Sequence, residues 1–174
     1  MERSFSEQGQ YAGKASRPDM PEGYGLLDAD DGSGLIPWAW VDEQAHKSRN
    51  YWIGTTRPDG RPHAMPVWGV WLNGMLYFGT DRLSRKARNI VANPEIVVHL
   101  ESGDEAVVIE GVAEEVTDSS TLKLIDDASE AKYNFRPDAN NVGNLTYVLR
   151  PRVVFAWKET DFPGGATRWR FRDD

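Results

Sequence analysis

The sequence predicts a mainly β fold of the α+β type: a small antiparallel barrel of six to seven short strands with short helices between them. Three observations predict it. Short runs rich in β-branched and aromatic residues recur from Tyr51 to Phe171. Asp-Gly, Asn-Gly and Pro-Gly-Gly signals separate several of them, which is the chemistry of hairpin connections. A length of 174 residues suits a single domain, one large enough to bury roughly 70% of the surface its unfolded chain exposes.

Taken in order, residues 1–35 are rich in Gly, Ser, Asp and Pro without periodicity and read as a tail or a surface-wrapping arm. The barrel domain spans residues 36–174. Pro37 opens a helix that runs to Arg49, with Trp38, Val41 and Ala45 at helical spacing. Tyr51 to Thr56 is a strand ending in the turn Arg57-Pro-Asp-Gly60. His63 to Leu72 and Met75 to Thr80 form a hairpin around Asn73-Gly74, the strongest short-range hairpin signal. A helix starts after Ser84, places Ala87, Ile90 and Val91 on one face and stops before Asn93-Pro94. Glu95–Leu100 and Ala106–Val116 are a second hairpin, Asp118–Lys132 a helix capped by Asp118 or Ser119, and 134–144 a loop. Thr146–Trp157 and Ala166–Phe171 are the last strands, joined around Pro163-Gly164-Gly165.

Composition excludes several classes of function. A formal charge of -7 and a pI near 5.0 argue against nucleic-acid binding, which requires a basic face. The chain has no cysteine, so disulfides, thiolate nucleophiles and Cys-ligated zinc are absent. His46, His63 and His99 are too widely spaced to suggest a metal cluster. No apolar run approaches the length of a membrane span, and Met1 is followed by polar residues rather than a signal sequence. The expectation is a soluble, cytoplasmic protein with no membrane partner.

Charge is uneven along the chain. Residues 101–130 hold ten acidic residues and one lysine, a net of −9 with no calcium-loop spacing, and read as a solvated face. Asp81-Arg-Leu-Ser-Arg-Lys-Ala-Arg88 is net +3, directly after a strand and at a helix start. Free backbone N–H groups, the helix dipole, Arg85, Lys86 and the Ser84 hydroxyl there converge on one place suited to an anion. The plain alternative is that Ser84 only caps the helix and the cations are solvated. Counting back from Asn73-Gly74 sets Val67 opposite Thr80 and Trp68 opposite Gly79. Pro62 and Pro66 cannot donate ladder hydrogen bonds, so their strand is an edge or bulged. Its free backbone groups suit a flat heterocycle whose phosphate sits at Arg85 and Lys86. Alternatively, Trp68 simply covers a glycine.

At these residues the chain resembles the pyridoxamine 5'-phosphate oxidase-like split β-barrels that bind FMN or a deazaflavin. The resemblance is carried by Arg61-Pro-His-Ala-Met-Pro-Val-Trp68, Tyr77-Phe-Gly-Thr80, Ser84-Arg-Lys-Ala-Arg-Asn89 and Asn93-Pro94. Ile109 to Val116, Pro151 to Trp157 and Thr167-Arg-Trp169 extend it over nearly the whole domain. It implies a homodimer with the cofactor at the subunit interface. Thr80, Ser84, Arg85 and Lys86 would hold the ribityl phosphate, and His63, Met65, Pro66, Val67 and Trp68 would line the ring. Trp157 and Arg168 would approach from the partner chain. Trp68 stands where true pyridoxamine phosphate oxidases carry a basic substrate-phosphate residue. Glu105 or Ala106 stands where they carry an amide that touches the flavin. The Pro-Val-Trp and Thr-Arg-Trp stretches are more similar to the branch using the deazaflavin coenzyme F420.

The resemblance therefore implies a flavin- or deazaflavin-dependent oxidoreductase passing a hydride between FMN or F420 and a small organic substrate, chemistry that requires no nucleophile or metal. Two other readings stand beside it. One is a non-catalytic carrier or sensor of the same cofactor. The other is a haem-binding split barrel using His63 or His99. Trp38, Trp40, Trp52 and Trp71 read as core or dimer interface.

Overall fold

The structure, a computed structural model, describes residues 13–27, 32–137 and 143–171. It contains strands β1 (Lys14–Ser16), β2 (Tyr51–Thr56), β3 (Pro62–Val67), β4 (Gly69–Leu72), β5 (Met75–Asp81), β6 (Glu95–His99), β7 (Glu105–Glu115), β8 (Asn144–Lys158) and β9 (Thr167–Arg170). The helices are α1 (Trp38–Lys47), α2 (Arg85–Ala92), α3 (Ser119–Tyr133) and the single turn α4 (Phe162–Gly165). All strand pairings are antiparallel, in the order β1-β9-β8-β7-β6-β2-β3, with β5 also on β8 and β4 on β5. The expected mainly β, antiparallel architecture is present. Its nine strands form an open sheet and exceed the six to seven anticipated.

The extra strands have specific causes. Lys14–Ser16, within the expected arm, pairs with β9. The run from His63 to Leu72 is two strands, broken at Trp68. Asn73 (φ 53°) and Gly74 (φ 76°) make the two-residue turn, and Leu72 pairs with Met75 as counted. The ladder ends at Gly69 opposite Phe78, so Val67 pairs with Tyr51 on β2 rather than with Thr80. Gly69 permits this corner, because a Cβ there would lie 2.8 Å from the Tyr77 carbonyl oxygen. The end of α3 holds the corner. The Tyr133 hydroxyl accepts from Gly69 N (3.0 Å), and Lys132 Nζ donates to Gly69 O (3.1 Å) and Tyr51 Oη (2.9 Å). As the prolines required, β3 is the terminal strand of the sheet.

One core is centred on Tyr51, Ile53, Leu76, Phe78, Ile109, Leu149 and Val154, and α1 contributes Val41 and Ala45 to it. A second, smaller core lies between α3 and the β4–β5–β8 strands, around Val70, Met75, Tyr77, Ile125 and Val148. The face expected of α2 is half right. Ala87 and Ile90 are buried, but Val91 is 79% exposed, and Lys86 and Asn89 take the remaining inward places. Among the described residues no helix is long and apolar enough to cross a membrane.

Lys132 gives the fold a pH signature. Burial first, and the nearby Arg49 charge second, lower its pKa from the ordinary 10.5 to about 8. Between those values the unfolded chain binds more protons than the folded one, so this lysine makes stability rise with pH across that window. Lys132→Met is expected to flatten the rise, measured as denaturant midpoints at about pH 7 and about pH 9.5. An unchanged slope would contradict the assignment.

Candidate functional site

The site is built where β5 hands the chain to α2. Ser84 caps the helix, its hydroxyl accepting from Ala87 N at 3.0 Å, and it sits 2.9 Å from Thr80 Oγ1. Ser84→Ala is expected to cost about 1 kcal/mol, a fall of about 2–4 °C in Tm, which a calorimetric melt would read. Asp81 Oδ1 accepts from Leu83 N at 2.7 Å and fixes the turn before the helix. The plain capping role of Ser84 is thus real, and its hydroxyl also meets Thr80.

The unusual feature is Lys86. It is only 9% exposed, yet it makes no hydrogen bond or ion pair with any described residue, and burial lowers its pKa. The side chain is largely buried but its nitrogen still reaches solvent, so an ammonium unpaired among the described residues is open to an anion. Three further groups, His63, Arg57 and Arg85, share its surroundings. The His63 imidazole is held below its usual range by burial first, then by the charges of Arg57, Lys86 and Arg85. Arg85 is exposed at the rim.

Thr55 and Asn89 form the floor. Asn89 is fully buried; its Nδ2 donates to Thr55 Oγ1 at 2.9 Å, while its Oδ1 is sealed from solvent without a partner. Arg57 Nε is likewise buried and unpartnered. Thr55, Arg57 and Asn89 were not singled out from the sequence. Arg57 read only as part of a turn, and Asn89 only as the last residue of the Ser84–Asn89 stretch that carries the resemblance, with no role of its own. The signal available was Arg57 closing the strand that α2 would cover.

The ring-platform candidates divide between two environments. His63, Met65 and Val67 lie in register with Thr55, Ile53 and Tyr51, on the face that α2 covers near Thr55. Met65 is 49% exposed at the open edge. Pro66 faces the other way, opposite Trp52. Trp68 does not lie in a ladder with Gly79. It stacks on Tyr133 (4.8 Å between centroids, 7° between planes), with Phe135 edge-on and Arg49 over its ring. Val67, Trp68 and Thr80 line a cavity of about 400 Å³ that Gly79 also borders.

Trp157 and Arg168 make their contacts elsewhere. Trp157 meets Phe162 edge-on, and Arg168 is ion-paired to Asp19 and hydrogen-bonded to Ser16 Oγ (3.2 Å). The strand registers nonetheless connect Arg168 to β3. Pro66, Trp52, His99, Val108, Phe155 and Arg168 are successive cross-strand partners, one row across one face of the sheet. Trp157 lies beside Phe155 on that face. Trp52 and His99 stack in parallel within the row, and none of its residues is fully buried.

Comparison with known proteins gives the family. Residues 40–157 match the pyridoxamine 5'-phosphate oxidase family model, and the chain belongs to that family. No functionally curated protein matches it. Among solved structures it is similar to a conserved hypothetical protein from Mycobacterium tuberculosis, with 23% identity, a TM-score of 0.64, and coverage of 74% of this chain and 88% of that one. It is also similar to an F420 reductase, with 23% identity, a TM-score of 0.55 and coverage of 65% and 94%. A haem-binding protein from Mycobacterium smegmatis aligns at 20% identity, TM-score 0.57, covering 75% of this chain and 55% of that one. These likenesses establish the split-barrel fold.

Proposed function

We propose that the protein is a cytoplasmic oxidoreductase that binds FMN or coenzyme F420 and transfers a hydride between it and a small organic substrate. The observation that carries this reading is Lys86, a largely buried lysine with no acidic partner among the described residues, grouped with Arg57, His63 and Arg85 at a helix start. Thr80, Ser84, Arg85 and Lys86 would take the cofactor's phosphate, with Arg57 completing the clamp. The β3 edge from His63 to Val67, ending at Trp68, would take the ring through backbone groups. The bound cofactor would supply the two-electron chemistry. The chain's part is to orient the ring and keep water from it.

The same reading makes the protein a homodimer. The Pro66–Trp52–His99–Val108–Phe155 row, with Trp157 beside it, is a largely apolar sheet face left incompletely covered, of the kind that marks an interface. A second copy on it would bring Trp157 and Arg168 of one subunit toward β3 of the other. Fluorescence titration of the apoprotein with FMN and with F420 tests binding. Turnover of enones, quinones and nitroaromatics by the reduced complex tests catalysis. Binding without turnover of any of them would support the carrier or sensor reading instead.

One observation favours a haem reading. His99 Nδ1 donates to the Leu100 carbonyl at 2.8 Å, which leaves Nε2 as the lone-pair nitrogen on the half-open face. A Soret band after haem addition that His99→Ala abolishes would support it.

A further inference from the structure

The described part of the N-terminal arm is fastened to the barrel domain. Arg17 is only 3% exposed, and its guanidinium donates to the carbonyls of Gly164 and Ser33, each at 2.6 Å. One buried side chain thus ties two places on the arm to the α4 turn. Leu27 N donates to the Pro163 carbonyl at 3.2 Å, and Ile36 N to Thr167 Oγ1 at 2.8 Å.

The strand registers say which face the arm takes. Ser16 is the cross-strand partner of Arg168, so it extends the Pro66–Arg168 row by one strand, and its hydroxyl meets the Arg168 guanidinium. Farther on, Asp19 pairs with both Arg168 and Arg170, two side chains on that same face of β9. Tyr24 then lies against Phe162, which meets Trp157 edge-on. The arm therefore continues the row beyond its last strand, and its outward residues Met20, Pro21, Tyr24 and Leu27 are all exposed. A fixed apolar ridge that runs on from a largely apolar sheet face belongs to the same interface as that face.

We infer that the arm of one subunit is a wall of the cofactor site of the other, with Asp19 holding Arg168 in place and Met20 and Tyr24 directed at the partner's β3. This rests on the homodimer arrangement proposed above, in which Arg168 of one chain approaches β3 of the second. The arm is bonded to Arg168 and travels with it. Each site is then incomplete in a single chain.

Cross-linking tests the placement. The chain has no cysteine, so introduced thiols report alone. Ala64 is exposed on β3 and faces the same way as Pro66. The double variant Tyr24→Cys with Ala64→Cys, treated with a short bismaleimide, should yield a covalent dimer on a denaturing gel, whereas neither single variant should. Sedimentation equilibrium of the same samples separates two failures. A dimer in solution that the double variant cross-links no better than the single ones overturns this proposal and leaves the homodimer standing. A monomer overturns both. Met20→Ser with Tyr24→Ser gives a second reading, because both side chains are exposed in the single chain and the subunit should still fold. Its dimer dissociation constant should rise by at least about tenfold. An unchanged constant in the folded variant overturns the proposal.

Discussion

Replacing Lys86 by alanine is expected to weaken binding of a phosphate-bearing flavin or deazaflavin by about 1–3 kcal/mol, roughly 5- to 150-fold. The size follows from losing a charge-assisted contact made in a largely desolvated place. The accompanying stability effect separates a binding role from a structural one. Lys86 is 9% exposed, has no acidic partner among the described residues, and burial lowers its pKa, so its charge costs the apoprotein free energy. Lys86→Met keeps most of the buried stem and removes that cost. The methionine variant should bind cofactor as poorly as the alanine one, yet melt no lower than the wild type without ligand. Calorimetry and fluorescence titration on the same samples would read both quantities. A methionine variant that binds normally, or one that loses stability, would count against the assignment.

Gly111→Ala is expected to be the most damaging small substitution in the sheet. β7 and β8 form the longest ladder, and its register shifts between Glu110 and Gly111, leaving Arg152 as the extra residue on β8. Gly111 faces Pro151, which has no N–H to give and is accommodated inside a central strand by that bulge. A Cβ on residue 111 would lie 2.0 Å from the Arg150 carbonyl oxygen and 2.9 Å from its carbon. Both are backbone atoms, so no side-chain rotation relieves the overlap, and the two strands must separate. A loss on the order of 3 kcal/mol is expected, which lowers Tm by about 6–12 °C. A thermal melt within 2 °C of wild type, roughly half a kcal/mol, would contradict the packing described.

Much of this fold is legible in the sequence because its signals are local. Asn73-Gly74 supplied both positive-φ residues of its turn, Ser84 capped its helix, and the prolines of β3 forced it to the sheet's end. What was not legible depends on contacts between distant residues. The break at Trp68 is set by Tyr133 and Lys132 reaching Gly69 from the end of α3, more than sixty residues along the chain. The pairing of Lys14–Ser16 with β9 joins nearly the two ends of the described chain, and nothing in those three residues announces it.

The candidate site divides in the same way. Ser84, Arg85 and Lys86 are adjacent, and the helix start made them visible as a group. Thr55, Arg57 and Asn89 join them only because α2 packs across β2. Val91 was assigned to the buried face by its apolarity, but the helix turns it to solvent and buries Lys86 and Asn89 instead. That exchange of an apolar for a charged residue on the inward face is the feature on which the proposed function rests.

The central claim is that the cations at the start of α2 hold a phosphate. The most direct test is the affinity of the apoprotein for two pairs of ligands that differ in that group: FMN against riboflavin, and F420 against its dephosphorylated deazaflavin core. The account expects one pair to bind with the phosphate-bearing member favoured at least tenfold, and that preference to disappear in Lys86→Met. Equal affinity within both pairs, or a preference that survives the substitution, would contradict it.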